Sequence, residues 1–295
     1  MLPAVQDWDW ERLVEQLREG ECIPFIGAGA CAGSLPTGSA LAARYADEYE
    51  YPFADRHDLA RVTEYAAYKV GDAVDLKRRV ARDLAAYRSP DFDDLDTPHG
   101  LLARYPIPLF LTTNYDTFMT EALDRRSKAA TTTVCTWHRE SAGRAADPRP
   151  DTPVVFHLHG AITEPASMVL TQHDYARFLL ALAVDQGFDK KALVPTKIRP
   201  FLTHRPLLFI GYSLRDWSFQ VLWRGLTQLF GREEQRRHIS IQLVDGLHDD
   251  SPDTHRRAQS FLEHQHEKQQ ISVFWGSTSE FCRELNRRLG NPHGR

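Results

Sequence analysis

Four short segments of this sequence set small or polar residues directly after an apolar run: Gly27-Ala28-Gly29-Ala30-Cys31, Thr112-Thr113-Asn114-Tyr115-Asp116, His159-Gly160 and Gly211-Tyr212-Ser213. A glycine turn entered from an apolar strand lets backbone N–H groups and a helix N-terminus approach a phosphate. Residues 27–32 fit the GxGxxA form of that fingerprint, which also serves as a plain tight turn. A dehydrogenase would further need an acidic residue ending a second strand about 20 residues on. Asp47, Glu48 and Glu50 lie near that distance but close a helix-like stretch, which weakens hydride transfer. Asn114 and Asp116 flank Tyr115 in a turn, where these types make Asx turns and helix N-caps as readily as ligand contacts. His159, followed by glycine at a strand end, is placed for general-base work near neutral pH. His157, two residues earlier, would share its face on an extended strand and could pair with it on a metal. His173-Asp174 is the nearest source of a third ligand, without convincing spacing, so no metal is expected. Taken alone, His157 reads as a hydrogen-bonded histidine closing a strand. Cys31 reads as a small packed residue, because no basic or histidine partner adjoins it in sequence. Asp216 reads as a helix cap.

The elements that must position these groups alternate. Trp10, Leu13, Val14 and Leu17 recur at helical spacing before Gly20. Short apolar runs at 23–26, 107–112, 154–158, 207–210, 238–244 and 271–275 read as strands, with a β-branched one at 131–136. Helical patterns fill residues 39–87, 117–126 and 253–270, and a capping box, Ser277-Thr278-Ser279-Glu280, opens the last helix. Strands apolar on both faces and separated by helices predict an α/β protein with a Rossmann-like parallel sheet and helices on both faces. In such sheets ligands bind beyond the carboxyl ends of the strands, where all four segments fall. Residues 1–295 read as one domain, with 39–95 a small helical insertion or lid.

Composition narrows the class. The 295 residues are 42% hydrophobic and 26% charged, which is ordinary for a globular chain, and the formal charge is −4. That balance supplies no global field for nucleic acid or an anionic membrane. No apolar run nears the roughly 20 residues a bilayer requires. The start, MLPAVQDWDWERL, lacks the pattern of a secretory signal. Four scattered cysteines, Cys22, Cys31, Cys135 and Cys282, form no CxxC pair, so a reducing cytoplasm is expected.

The ordered motifs carry a resemblance. GAGAC resembles the GAGxS turn of sirtuins, with Cys31 in place of serine; TTNYD resembles their TQNID, HG the segment with their histidine, and GYS their GTS. TTNYDTFMTEAL, VLTQHDYARFL and FIGYSLRDWSFQVL resemble the bacterial sirtuin-like domains of anti-phage defence systems. The likeness runs from Phe25 to Leu222. It implies a Rossmann-like fold with an inserted helical module, NAD as substrate, and hydrolysis of the nicotinamide–ribose bond that depletes NAD during infection. It implies Asn114 on the nicotinamide ribose and a water, His159 as base, Asp116 on the nicotinamide side and Ser213 on the adenosine side. Gly27, Ala28, Gly29, Ala30, Thr113 and Gly211 would complete the NAD-binding set. Two departures matter. The four-cysteine zinc module of the protein deacylases is missing, and Pro36-Thr37-Gly38 stands where they carry DFR. Both disfavour the alternative of a lysine deacylase; a non-catalytic NAD or ADP-ribose sensor is the other alternative. Unchecked NAD hydrolysis would kill the host cell, so gating is expected through a homo-oligomer or a partner ATPase, Argonaute-like protein or other sensor. Helix 253–270 and the Trp217, Phe219 and Trp223 set are the contact surfaces considered, although those aromatics also read as core.

Overall fold

Helix α1 (Asp7–Arg18) buries Trp10, Leu13, Val14 and Leu17 on one stripe, as their spacing dictates, and leads into strand β1 (Ile23–Ile26). After a 3-10 turn over Ala28–Cys31 come α2 (Gly38–Glu48), α3 (Leu59–Val70), α4 (Ala73–Ala85), α5 (Pro98–Leu102), β2 (Leu109–Thr112), α6 (Phe118–Asp124), β3 (Thr131–Val134) and β4 (Val154–His157). The second half holds α7 (Gln172–Val184), α8 (Arg199–His204), β5 (Leu207–Ile210), α9 (Trp217–Leu229), β6 (His238–Gln242), α10 (Pro252–Glu267), β7 (Ile271–Trp275) and α11 (Thr278–Gly290). The computed structural model describes residues 5–137, 145–184, 193–213, 217–229, 237–242, 251–267 and 269–290. Asp216 and residues 243–244 of the expected sixth strand lie outside them, as does the Trp217 side chain.

The seven strands form one sheet in the order β3-β4-β2-β1-β5-β6-β7, with every pairing parallel. Without the edge strand β3, this is the order of two joined mononucleotide-binding halves, and the winding reverses between β1 and β5. Helices α1, α5, α6 and α11 cover one face; α7, α8 and α9 cover the other. Residues at the strand ends are level: Ile26 pairs with Thr112 and Ile210, and Thr112 pairs with His157. The segments after β1, β2, β4 and β5 therefore leave the sheet at one edge. Phe219 and Trp223 pack on Phe209 at ring distances of 5.3 Å each, so both are core. Strand β4 stops at His157, one residue before the sequence suggests, and the chain turns at Leu158. The two-residue rule that put His157 and His159 on one face therefore does not apply.

Helices α2, α3 and α4 surround a separate core of Leu41, Tyr45, Val62, Leu76 and Val80, completed by Met168 and Leu170 from the segment after β4. Polar contacts fix the same seam. Lys77 Nζ meets Asp174 Oδ1 at 2.7 Å with both side chains buried, and Thr63 Oγ1 donates to the Leu170 carbonyl at 2.9 Å. Asp174 Oδ2 accepts the N–H groups of Leu170 and Thr171 at the start of α7. Removing one partner of a buried pair strands the other charge, at a typical cost of about 3–5 kcal/mol. Lys77→Ala is expected to lower the urea midpoint accordingly. The Lys77→Met, Asp174→Asn double variant is expected to recover most of the loss.

Candidate active site

The floor of the site is backbone against backbone. Gly27 N–H donates to the Ile210 carbonyl at 2.8 Å, Gly29 N–H to Gly211 at 3.0 Å, and Ala30 N–H to Gly27 at 3.0 Å. Gly211 has φ of +77°, and a Cβ there would lie 2.2 Å from the Ala30 nitrogen. Only glycine fits such a position. The turn after β1 and the turn after β5 are thus one unit, and three of its amides are spent on its own shape.

Asn114 sits over this unit. Its Nδ2 donates to the Gly27 carbonyl at 3.1 Å and to Cys31 Sγ at 3.2 Å. Its backbone is held on both sides: the N–H donates to Thr112 Oγ1 at 2.9 Å, and its carbonyl faces His157 Nδ1 at 3.0 Å. A carbonyl can only accept, so His157 carries its proton on Nδ1. His157 therefore closes the strand and braces Asn114. Thr113 Oγ1 shares a hydrogen with Tyr212 Oη at 2.7 Å, and Tyr212 Oη reaches the Ile26 carbonyl at 3.1 Å. Asp116 makes the Asx contact its type suggests: Oδ1 accepts Phe118 N–H at 3.0 Å at the start of α6. Its Oδ2 accepts from the Cys31 thiol at 3.4 Å. Burial, followed by the Asp116 charge, pushes the Cys31 pKa well above the usual thiol range, so Cys31 is no thiolate nucleophile.

His159 stands in an aromatic socket, 4.9 Å from the Phe178 ring and 5.6 Å from Tyr175, edge to face with both. Burial lowers its pKa from 6.5 to about 3. The ring is therefore held neutral in the physiological range. His157 and His159 meet different groups, the Asn114 carbonyl for the first and the aromatic socket for the second. The chain around His159 is fixed by Gly160, whose φ is +87°, and by the His159 carbonyl, which accepts Val169 N–H at 2.8 Å.

These strand ends open on one cleft of about 830 Å³ between the sheet edge and α2–α3. Ala28, Thr113, Asn114, Asp116, His159, Gly211 and Ser213 all line it. Gly27, Gly29 and Ala30 do not line it and act from beneath. Tyr212 and Tyr175 also line the cleft, while Thr112 and His99 stand behind it against Asn114 and Cys31; sequence reasoning assigned none of the four a role. Thr112 alone had a usable signal, a hydroxyl at the last position of an apolar strand.

A family model described as a SIR2-like domain matches residues 108–273, more than half the chain and the stretch that carries Asn114, His159 and Ser213. The chain belongs to the SIR2-like domain family. Among relatives of this SIR2-like chain is the NAD(+) hydrolase ThsA of Acinetobacter baumannii (strain 532279), 26% identical over 238 residues, covering 78% of this chain and 44% of the relative. The NAD(+) hydrolase ThsA of Cytobacillus dafuensis is 24% identical over 236 residues, with coverage of 80% and 44%. The SIR2-like chain thus spans less than half the length of these curated relatives. A solved Sir2 enzyme structure aligns with 96% of the chain and 97% of its own, at 10% identity and a TM-score of 0.41.

Proposed function

We propose that this SIR2-like chain is an NAD+ glycohydrolase that releases nicotinamide and ADP-ribose. The observation that carries the reading is the meeting of Ala28, Asn114, His159 and Ser213 from four strand ends on one cleft at the point where the winding reverses. The activity for which the relatives are named, NAD(+) hydrolase, agrees with it.

The chemistry asks little of the protein. Nicotinamide in NAD is already a cationic leaving group, so the site must hold the ribose, tolerate an oxocarbenium-like state and place a water. Asn114 binds the ribose and the water through its carboxamide. His159 accepts a hydrogen bond from the water without bringing charge into an apolar wall. Water becomes strongly acidic as it bonds to the cationic carbon, so a weakly basic imidazole suffices to take its proton late in the reaction. Asp116 supports the nicotinamide side and Ser213 the adenosine side, while Gly27, Gly29, Ala30 and Gly211 keep the floor open by lacking bulk. The helical module 39–95 roofs the cleft as a lid. Among the described residues no helix is long and apolar enough to cross a membrane. The reading extends to depletion of NAD in the bacterial cytoplasm as an anti-phage response, by a homo-oligomer or with a sensor partner.

Incubation of the purified chain with NAD, with and without an acetylated peptide, tests the assignment. Nicotinamide is expected without any peptide. Strict dependence on the peptide would mean a deacylase, and bound NAD without turnover would mean a sensor.

A further inference from the structure

Beneath Asn114 lies a trio of buried side chains able to ligate a metal. Cys31, His99 and Asp116 are all buried, and Cys31 Sγ is 3.4 Å from Asp116 Oδ2 and 3.9 Å from His99 Nε2. One ligand atom from each lies within 4.8 Å of the others, and among the described residues this is the one such trio of histidine, cysteine and carboxylate. His99 is 1% exposed, and its Nδ1 has no hydrogen-bond partner. The thiol opposite Nε2 is too distant for a strong hydrogen bond. The ring otherwise meets the edges of Phe92 and Phe118, at 6.5 Å and 6.1 Å. A fully buried imidazole with so little polar company is costly and calls for a reason.

A metal ion on Nε2 would give the ring one strong polar partner, with Nδ1 keeping the proton. With Zn–S near 2.3 Å and Zn–N or Zn–O near 2.0 Å, tetrahedral angles set the sulfur about 3.5 Å from the other two ligand atoms. The two sulfur separations, 3.4 Å and 3.9 Å, need only a few tenths of an ångström of adjustment, and the nitrogen–oxygen pair, within 4.8 Å, must settle at about 3.3 Å. The donors are a sulfur, an imidazole nitrogen and a carboxylate oxygen, which favours zinc or cobalt over calcium or magnesium. We infer that Cys31, His99 and Asp116 form a three-ligand site for a single thiophilic divalent cation of the zinc class. No spacing motif announces it, because Cys31 is 68 residues from His99 and 85 from Asp116. It depends on Cys31, where the sirtuin pattern has a serine.

The balance is simple. The Cys31 S–H bond breaks, its proton leaves to solvent, and a sulfur–metal bond forms. His99 contributes the Nε2 lone pair. Asp116 contributes Oδ2 while Oδ1 keeps its bond to Phe118 N–H, so the start of α6 is undisturbed. Thiolate and carboxylate together cancel the ion's two charges. Asn114 Nδ2 already bonds the same sulfur, so the ion would crowd the carboxamide from behind. On the NAD hydrolysis reading, and resting on it, the loaded protein is the inhibited form. Binding itself does not depend on that reading.

Titration of the full chain with Co2+, after removal of metals by a chelator, tests the site without turnover. A thiolate-to-cobalt charge-transfer band saturating at one ion per chain is expected, with displacement by Zn2+. Loss of an outer-shell partner alone costs about 10–100-fold in metal affinity. Cys31→Ser, a one-atom change, is therefore expected to remove the band and weaken zinc by more than about 100-fold. His99→Gln is expected to weaken zinc while keeping some thiolate band. Absence of the band in the wild type, or an equal band in Cys31→Ser, overturns the site. In the nicotinamide assay, Zn2+ is expected to inhibit the wild type and spare Cys31→Ser, and equal inhibition of both overturns the assignment. A cobalt band in a chain that never releases nicotinamide would sink the NAD reading and leave the metal site standing.

Discussion

Asn114→Ala is expected to cut nicotinamide release by at least about 10²-fold, a normal loss for a group that positions water and substrate. The fold should barely notice. The Gly27 carbonyl that Asn114 Nδ2 engages also accepts Ala30 N–H, so it is not orphaned by the substitution. The net stability loss is that of one or two hydrogen bonds, about 1–2 kcal/mol. For a chain of this size that is a fall of a few degrees in melting temperature, about 2–4 °C per kcal/mol. Saturating kinetics and a thermal melt on the same preparation check both halves. A collapse in melting temperature that accounts for the lost activity would make Asn114 a structural residue instead.

The second large effect belongs to His159. His159→Ala is expected to lower kcat by at least about 10²-fold. Its pH behaviour is the sharper test. With a pKa of about 3, the ring does not titrate between pH 5 and 8, so the wild-type rate should show no His159 limb in that range. A rate that falls through pH 6.5 in the wild type, and not in a residually active His159→Gln, would contradict the buried, neutral ring. Stability should respond to acid. Burial lowers His159 to about 3 and His238 to about 4, whereas both are near 6.5 when unfolded. Between those limits the unfolded chain binds protons that the folded chain refuses. The unfolding free energy therefore falls as pH drops below 6.5, by about 1.4 kcal/mol per pH unit for each histidine. Urea midpoints from pH 7 to pH 4.5 should show the fall, and it should be shallower in His159→Ala.

The sheet was legible because its strands are short, apolar on both faces and bounded by glycine or polar residues. Strands β1, β5 and β7 have the limits their residues suggest. Where the apolar run outlasts the ladder, as at Leu158, the boundary slips by one residue and the inferred face of His159 goes with it. Helix α7 was not read, although its residues form part of the His159 socket. A mostly apolar helix next to a loop gives no clear period. Within the site, Asn114, Asp116, His159 and Ser213 could be picked by type and position after a strand. His99 could not, since the Cys31 thiol it faces is 68 residues away in sequence. Nor could the depressed pKa of His159, which is a property of the aromatic walls that close round it and not of the histidine.

The paired glycine turns bear on how binding would be detected and on what it costs. Amides at a ligand site commonly exchange with solvent until the ligand arrives and shields them. Here the N–H groups of Gly27, Gly29, Ala30 and Thr113 are already bonded to carbonyls across the cleft floor. Their deuterium uptake is expected to be slow before anything binds and to change little afterwards, which exchange mass spectrometry with and without NAD would check. That silence would reflect a floor set at folding, where a ligand finds its surface already ordered and gives up little conformational entropy on arrival.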